Sequence, residues 1–229
     1  MALLLLDHGA DSNTVNSSKT TSVIYSTIFR GQLTILQKLI EKGVDASKMV
    51  YNPSGQLQFH SFTGLATDLS SPEMVRMLFE DIEARYPHLV QEHGLDGLER
   101  AAIHGNVAIA HYFLGKGIPV AGPPGNTSRI PFYAAVRYGK CDIMRLLLHH
   151  GAELDHNLMS FNMALFYGHG NGLFRSGPVS RSRKFKCFWG DDGDEVLRIL
   201  LGACSRIADP NRRARLYDFL RPWVSHRWV

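Results

Sequence analysis

His149 and His150, with His156 beyond the next turn, are the residues whose type and spacing come closest to a metal site. Adjacent positions on a helix point about 100° apart, so the two neighbours do not easily serve one ion. Polar residues ahead of a closing glycine are the simpler reading. Arg181-Ser182-Arg183-Lys184-Phe185-Lys186 is the one concentrated basic run. It suits a nuclear-import signal, a docking strip for an acidic partner or a weak nucleic-acid contact, and equally a solvated loop. Arg181 and Arg183 flank Ser182, so phosphorylation there would cut the local charge. Gly122-Pro123-Pro124-Gly125-Asn126 is Gly-rich but has no lysine, and its prolines remove the amide donors a phosphate cradle needs, so it reads as a hairpin tip. Neither a Gly-x-Ser-x-Gly elbow, nor His-Glu-x-x-His, nor a His/Cys zinc spacing is present. Cys141, Cys187 and Cys204 are too few and too scattered for a disulfide framework and read as reduced thiols. The expectation is therefore a non-enzyme, with no catalytic residues, metal, cofactor or small-molecule substrate.

The elements that hold these residues belong to a folded chain. Of 229 residues, 45% are hydrophobic and 20% charged, a composition that excludes global disorder. The Leu3–Leu6 run stops at Asp7 without a basic flank, short of the roughly 7–15 residues of a secretory core. No stretch approaches the roughly 18 apolar residues of a membrane span. The reading is a soluble intracellular protein, cytoplasmic or nuclear, whose sequons at Asn16 and Asn126 are chance. Charge is uneven: residues 1–168 carry 13 Lys and Arg against 15 Asp and Glu, residues 169–229 carry 12 against 6. The basic balance belongs to the tail, which suggests a segment with its own partner.

Glycines mark a period. Gly9, Gly43, Gly117 and Gly151 are separated by 34, 74 and 34 residues, and Gly31, Gly105 and Gly139 repeat the 74 and the 34. The interval of 74 is two units of 34 with six residues inserted. Ile35–Ile40 and Ile143–Leu148 place apolar residues at i, i+3 and i+4, and each run ends near a glycine, the residue that reaches a left-handed helix cap without a steric penalty. Upstream of each lies a shorter helix with small residues, Ala101-Ala102 before Gly105 and Ala134-Ala135 before Gly139, which let helices approach closely.

Ile130-Pro131-Phe132-Tyr133-Ala134-Ala135-Val136-Arg137-Tyr138-Gly139, followed by Asp142 through Ala152, resembles a complete ankyrin repeat. The family's Thr-Pro-Leu-His signature stands here as Ile-Pro-Phe-Tyr. Gly94 through Gly117 is a second match, and Ser22 through Asp45 a third, with Ser22 and Tyr25 at the family's Thr and His positions. The unit from Thr63 through Phe79 is degraded: Ser70-Ser71-Pro72 replaces the glycine, and Pro72 is expected to start the second helix. Met159 through Gly168 begins another unit, whose second helix is displaced to Asp194–Gly202.

The resemblance implies an all-α ankyrin solenoid of about five repeats. We expect repeats over 1–168, a Gly/Ser/Arg-rich insertion over 169–192, and a last repeat helix with a capping helix over 193–229. The first repeat starts in its second helix, so Leu3–Leu6 lack a partner; a fragment, a shortened reading or a covered edge would each explain this. At the other end, Asp209-Pro210 starts a helix whose Leu216, Phe219, Leu220 and Trp223 form a stripe that suits closure of the last repeat better than binding.

For function, the resemblance implies a scaffold or adaptor that holds a partner protein on its concave face, with neither nucleic acid nor membrane as partner. The two residues before each first-helix glycine then face the partner: Phe29 and Arg30, Ile103 and His104, Arg137 and Tyr138. Aromatic and Arg side chains suit an interface. The alternative packs Phe29 and Ile103 between repeats. A second reading makes the chain the recognition segment of a larger signalling or ubiquitin-ligase polypeptide.

Overall fold

A computed structural model describes residues 2–14, 22–47, 49–50, 60–121, 130–154 and 193–225. The hairpin tip at 122–126, His156, the unit over 159–168, the 169–192 insertion and its basic residues Arg181, Arg183, Lys184 and Lys186 lie outside the described residues, as does the side chain of Trp223. Among the described residues there are eleven α-helices, one 3-10 turn (Pro87–Leu89) and a two-residue antiparallel ribbon of β1 (Met49–Val50) with β2 (His60–Ser61). The fold is all-α, as expected, with this ribbon as a small addition. The chain forms two compact units, Met1–Ala101 with Asn106–Pro119, and Ala102–Gly105 with Val120–Val229.

In the first unit, helices pair as first and second members of a repeat: α2 (Val23–Phe29) with α3 (Leu33–Glu41), and α4 (Phe62–Asp68) with α5 (Pro72–Arg85). The second helices stack in series, α1 (Ala2–Asp7) on α3, α3 on α5, and α5 on α7 (Val107–Gly115). Side-chain caps set several starts. Ser22 accepts from the Tyr25 amide at 3.2 Å, Ser61 from Gly64 at 2.9 Å and Asn106 from Ile109 at 3.1 Å, and removing such a cap typically costs about 1 kcal/mol. Pro72 opens α5 at its first position, where its missing N–H costs nothing.

The six inserted residues are unevenly spent. Second helices start at Leu33, Pro72, Val107 and Cys141, spacings of 39, 35 and 34, so most of the extra chain precedes α5, around the ribbon. One expectation is corrected here. The helix before Gly105 is not the shorter member of its pair: α6 (Val90–His104) has 15 residues against nine in α7. Its first half buries Leu95 and Leu98, and Gly97 allows the close approach, since a Cβ there would lie 2.3 Å from Phe113 Cζ. Tertiary packing extends the helix through glycines that local propensity disfavours.

The degraded unit keeps the backbone geometry without the glycine. Gly31, Gly105 and Gly139 have φ of +65°, +77° and +64°, and Ser70 takes the same place with φ +53°. The amides of Ser70 and Ser71 bond back to Thr67 and Ala66 carbonyls at 2.9 and 3.1 Å, as those of Gly31 and Gln32 do to Ile28 and Thr27. A buried joint lies beside it: Asp96 accepts from the Ser61 amide at 2.9 Å and from its hydroxyl at 2.6 Å. Arg85, bonded to Asp81, also donates to the Val44 carbonyl at 2.6 Å and ties α5 to the turn after α3.

In the second unit, α8 (Pro131–Arg137) pairs with α9 (Cys141–His149), α10 (Gly193–Ser205) packs on α9, and α11 (Pro210–Ser225) on α10. Phe132, Val136, Ile143, Met144 and Leu147 form the core with Val196, Leu200 and Cys204, and Leu216 and Leu220 of α11 are buried. Asp209 accepts from the Asn211 amide at 2.9 Å and so starts α11. Arg212 donates to the Leu154 carbonyl at 2.6 Å, which ties α11 to the segment after α9. Arg145 of α9 bonds Glu195 of α10.

Two outcomes follow from this packing. Four residues before their closing glycines, Leu39, Phe113 and Leu147 are fully buried, whereas Leu5 is 53% exposed. A buried leucine contributes about 1.5–3 kcal/mol, so α1 has the weakest hold, and its amides should exchange well ahead of those of Leu146–Leu148 in a monomer. Equal protection by hydrogen exchange would contradict this. At Ser70, glycine relieves the left-handed strain at some cost in unfolded-state entropy, so Ser70→Gly should stabilise by about 0.5–1 kcal/mol, read from the denaturation midpoint.

Candidate protein-binding surfaces

In the first unit, α2 ends on Phe29 and Arg30 because Gly31 turns the chain. Phe29 is 62% exposed, and its ring stacks on Tyr25 one turn earlier, centroids 6.0 Å apart and nearly parallel. Arg30 caps the helix and is also exposed. This placement leaves Phe29 outside the core between repeats.

A fourth pair in this register is Asp68 and Leu69, ahead of Ser70. Sequence reasoning missed it because no glycine marks the position. The signal was available: second helices start two residues after Gly31, Gly105 and Gly139, so Pro72 points back to residue 70. Leu69 is 41% exposed, and Asp68 lies 3.6 Å from Arg100.

In the second unit, Ile103 is half-buried and His104 exposed at the end of α6. Arg137 closes α8, its guanidinium 5.3 Å from the centre of the Tyr138 ring, and Tyr138 is 46% exposed. A Cβ on Gly105 would lie 3.0 Å from Lys140 Cδ, so the Lys140 stem runs along the turn next to His104. The Lys140 stem thus reaches from the turn after Tyr138 to the turn after His104. Lys140 was not among the expected residues; its position immediately after Gly139 was the available signal.

Titratable side chains inside the core have other roles. Burial pushes the Cys204 thiol up to about 11, which keeps it protonated and poorly nucleophilic at neutral pH. Burial likewise raises Tyr112 to about 12; the Arg76 and Lys116 side chains lie 5.9 and 5.7 Å from its ring centre. His93 is buried, and desolvation lowers its pKa from 6.5 against the pull of Asp96, Glu92 and a hydrogen bond to the Ser47 backbone. Among the described residues, no group of three His, Cys, Asp or Glu side chains is placed to hold a metal ion. The rings of His149 and His150 meet edge to face, 5.6 Å apart.

Known proteins place this architecture. Residues 129–157 match the family described as "Ankyrin repeat". Together with the helix pairs and turns above, this identifies one ankyrin repeat at 129–157 in a chain whose fold is that of stacked ankyrin-type helix pairs. A solved structure of similar fold is the ankyrin repeat domain of Bcl-3, described as a unique member of the IkappaB protein family. The TM-score is 0.55 and the identity 18%, over 96% of this chain and 90% of that one. No curated protein matches the sequence. Ankyrin-repeat arrays are protein-interaction modules. Among the described residues, no helix is long and apolar enough to cross a membrane.

His93 provides a pH test of the first unit. Its folded pKa lies below 6.5, so the unfolded chain binds more protons as pH falls through 6.5. Stability should therefore be full above pH 6.5 and fall below it, until the folded pKa is passed. Urea midpoints at pH 7.5 and 5.5 measure the loss; a His93→Gln variant should show a smaller loss than the parent, and an identical one would refute the assignment.

Proposed function

We propose that this protein is a non-catalytic adaptor that holds a partner protein on the residues closing its first helices. These are Phe29 and Arg30 in the first unit, and Ile103, His104, Arg137 and Tyr138 in the second. The observation that carries the reading is exposure: Phe29 and Tyr138 keep large rings in solvent, while apolar neighbours such as Ile28 and Val136 are fully buried. Large side chains left outside a packed core bury much area on binding at limited entropic cost. The ankyrin repeat matched at 129–157 supports the holding of a partner protein, and the setting proposed for it is the cytoplasm or nucleus.

The Arg137→Ala/Tyr138→Ala double variant tests it. Neither side chain belongs to the core, so the helical circular dichroism spectrum should be unchanged. Binding of a partner isolated from native extract should weaken by about 2 kcal/mol or more, roughly 30-fold. If neutralising Arg181, Arg183, Lys184 and Lys186 abolishes binding while the double variant does not, the surface assignment is wrong.

A further inference from the structure

The first helices α2, α4 and α8 have seven residues each, whereas α6 has fifteen. Counted back from the closing glycine, the additional turns of α6 lie at its start, over residues 90–96. They carry two buried titratable side chains one helical turn apart, His93 and Asp96, each 1% exposed. Between them these two hold both flanks of the ribbon. Asp96 accepts from the amide and the hydroxyl of Ser61, in β2. The His93 ring hydrogen-bonds the backbone of Ser47, two residues before β1, and because that bond favours the charged ring it runs from a ring N–H to the carbonyl.

This sets the tautomer. His93 Nδ1 is buried and has no protein partner, so Nε2 is the nitrogen that donates to Ser47. A proton taken up by the ring lands on Nδ1, where no acceptor meets it, and a charged N–H left unpaired in the core is disfavoured. The carboxylates whose charge acts on the ring are Asp96 and Glu92 of its own helix. On the turn after α3, Asp45 is occupied with the amide and hydroxyl of Ser47. On α5, Asp81 is occupied with Arg85, which also bonds the Val44 carbonyl. The charged ring therefore has two outlets: to draw Asp96 from Ser61, or to swing into solvent and give up Ser47. Either one frees a flank of the ribbon. The first also disturbs the start of α4, because the Ser61 hydroxyl held by Asp96 caps the Gly64 amide.

We propose that His93 is an acid-operated latch: neutral, it fastens the ribbon and the first turn of α4 to α6; protonated, it releases them while the helix stack persists. The device does not depend on the partner surface described above. Burial holds the pKa of the fastened ring below 6.5, and the released ring returns to 6.5. The fastened form is thus fully favoured above pH 6.5, and release grows as pH falls through 6.5 until the lower value is passed.

Hydrogen exchange on the full chain, resolved by residue and corrected for the intrinsic pH dependence of exchange, tests this. Between pH 7.5 and 5.5, protection of the Ser61 and Gly64 amides should fall severalfold, and by no more than about tenfold, the ceiling set by a released ring at 6.5. The amides of Leu36 in α3 and Ala110 in α7 should keep theirs. His93→Gln can still donate to Ser47 but takes up no proton, so Ser61 and Gly64 should there become indifferent to pH over this range. Should that variant fail to fold, the parent decides alone: the His93 ring and the Ser61 amide resonances should titrate with one midpoint, below 6.5. Equal loss at all four amides, no loss at Ser61 and Gly64, the parent's loss retained in folded His93→Gln, or two different midpoints would each overturn the latch.

Discussion

Everything in this fold depends on the left-handed residue that separates the two helices of a repeat. At Gly31, Gly105 and Gly139 the chain takes positive φ; the amides of Gly31, Gln32, Gly139 and Lys140, and at the middle turn that of Asn106, return to carbonyls of the helix just ended. This single conformation satisfies helix-end groups that would otherwise be orphaned. It also fixes where the first helix ends and the direction of the second, and hence which side chains meet in the core. Ser70 shows how strong the demand is: the packing of α4 against α5 holds a serine in a conformation that its Cβ disfavours.

The same turn generates the candidate surface. The two residues before it sit at the end of the helix, where the periodic apolar stripe has run out. Phe29 and Tyr138 can therefore be large and exposed without weakening the core, and a basic residue stands beside each. Variation at this position alters what a repeat can hold while leaving the stacked helices unchanged, which is how a repeat protein separates stability from recognition.

One buried polar joint among the described residues has a clear structural task. Asp96 and Ser61 bind each other inside the first unit, at the foot of α4, and Gly64 must lack a side chain because a Cβ there would fall 2.2 Å from the Asp96 carboxylate. These groups stop the ribbon and start the helix. They replace, in a degraded repeat, part of the local order that a regular hairpin supplies elsewhere.

Period and capping chemistry alone determined the repeat, the helix pairs and the position of most turns, because a glycine at positive φ and an i, i+3, i+4 apolar stripe are both local requirements. Pro72 and Pro210 marked helix starts for the same reason. Three things needed the tertiary structure. The length of α6 depends on Phe113 and Ile118 packing against Gly97 and Gly94, contacts remote in sequence. The turn at Ser70 is imposed by neighbours, since serine has no preference of its own for that conformation. Lys140 joins the His104 surface only because the Gly105 turn lies beneath its stem, 35 residues earlier in the chain. Local rules say what each segment does alone; which segments touch is decided by packing, and packing is where these three differ from their pattern.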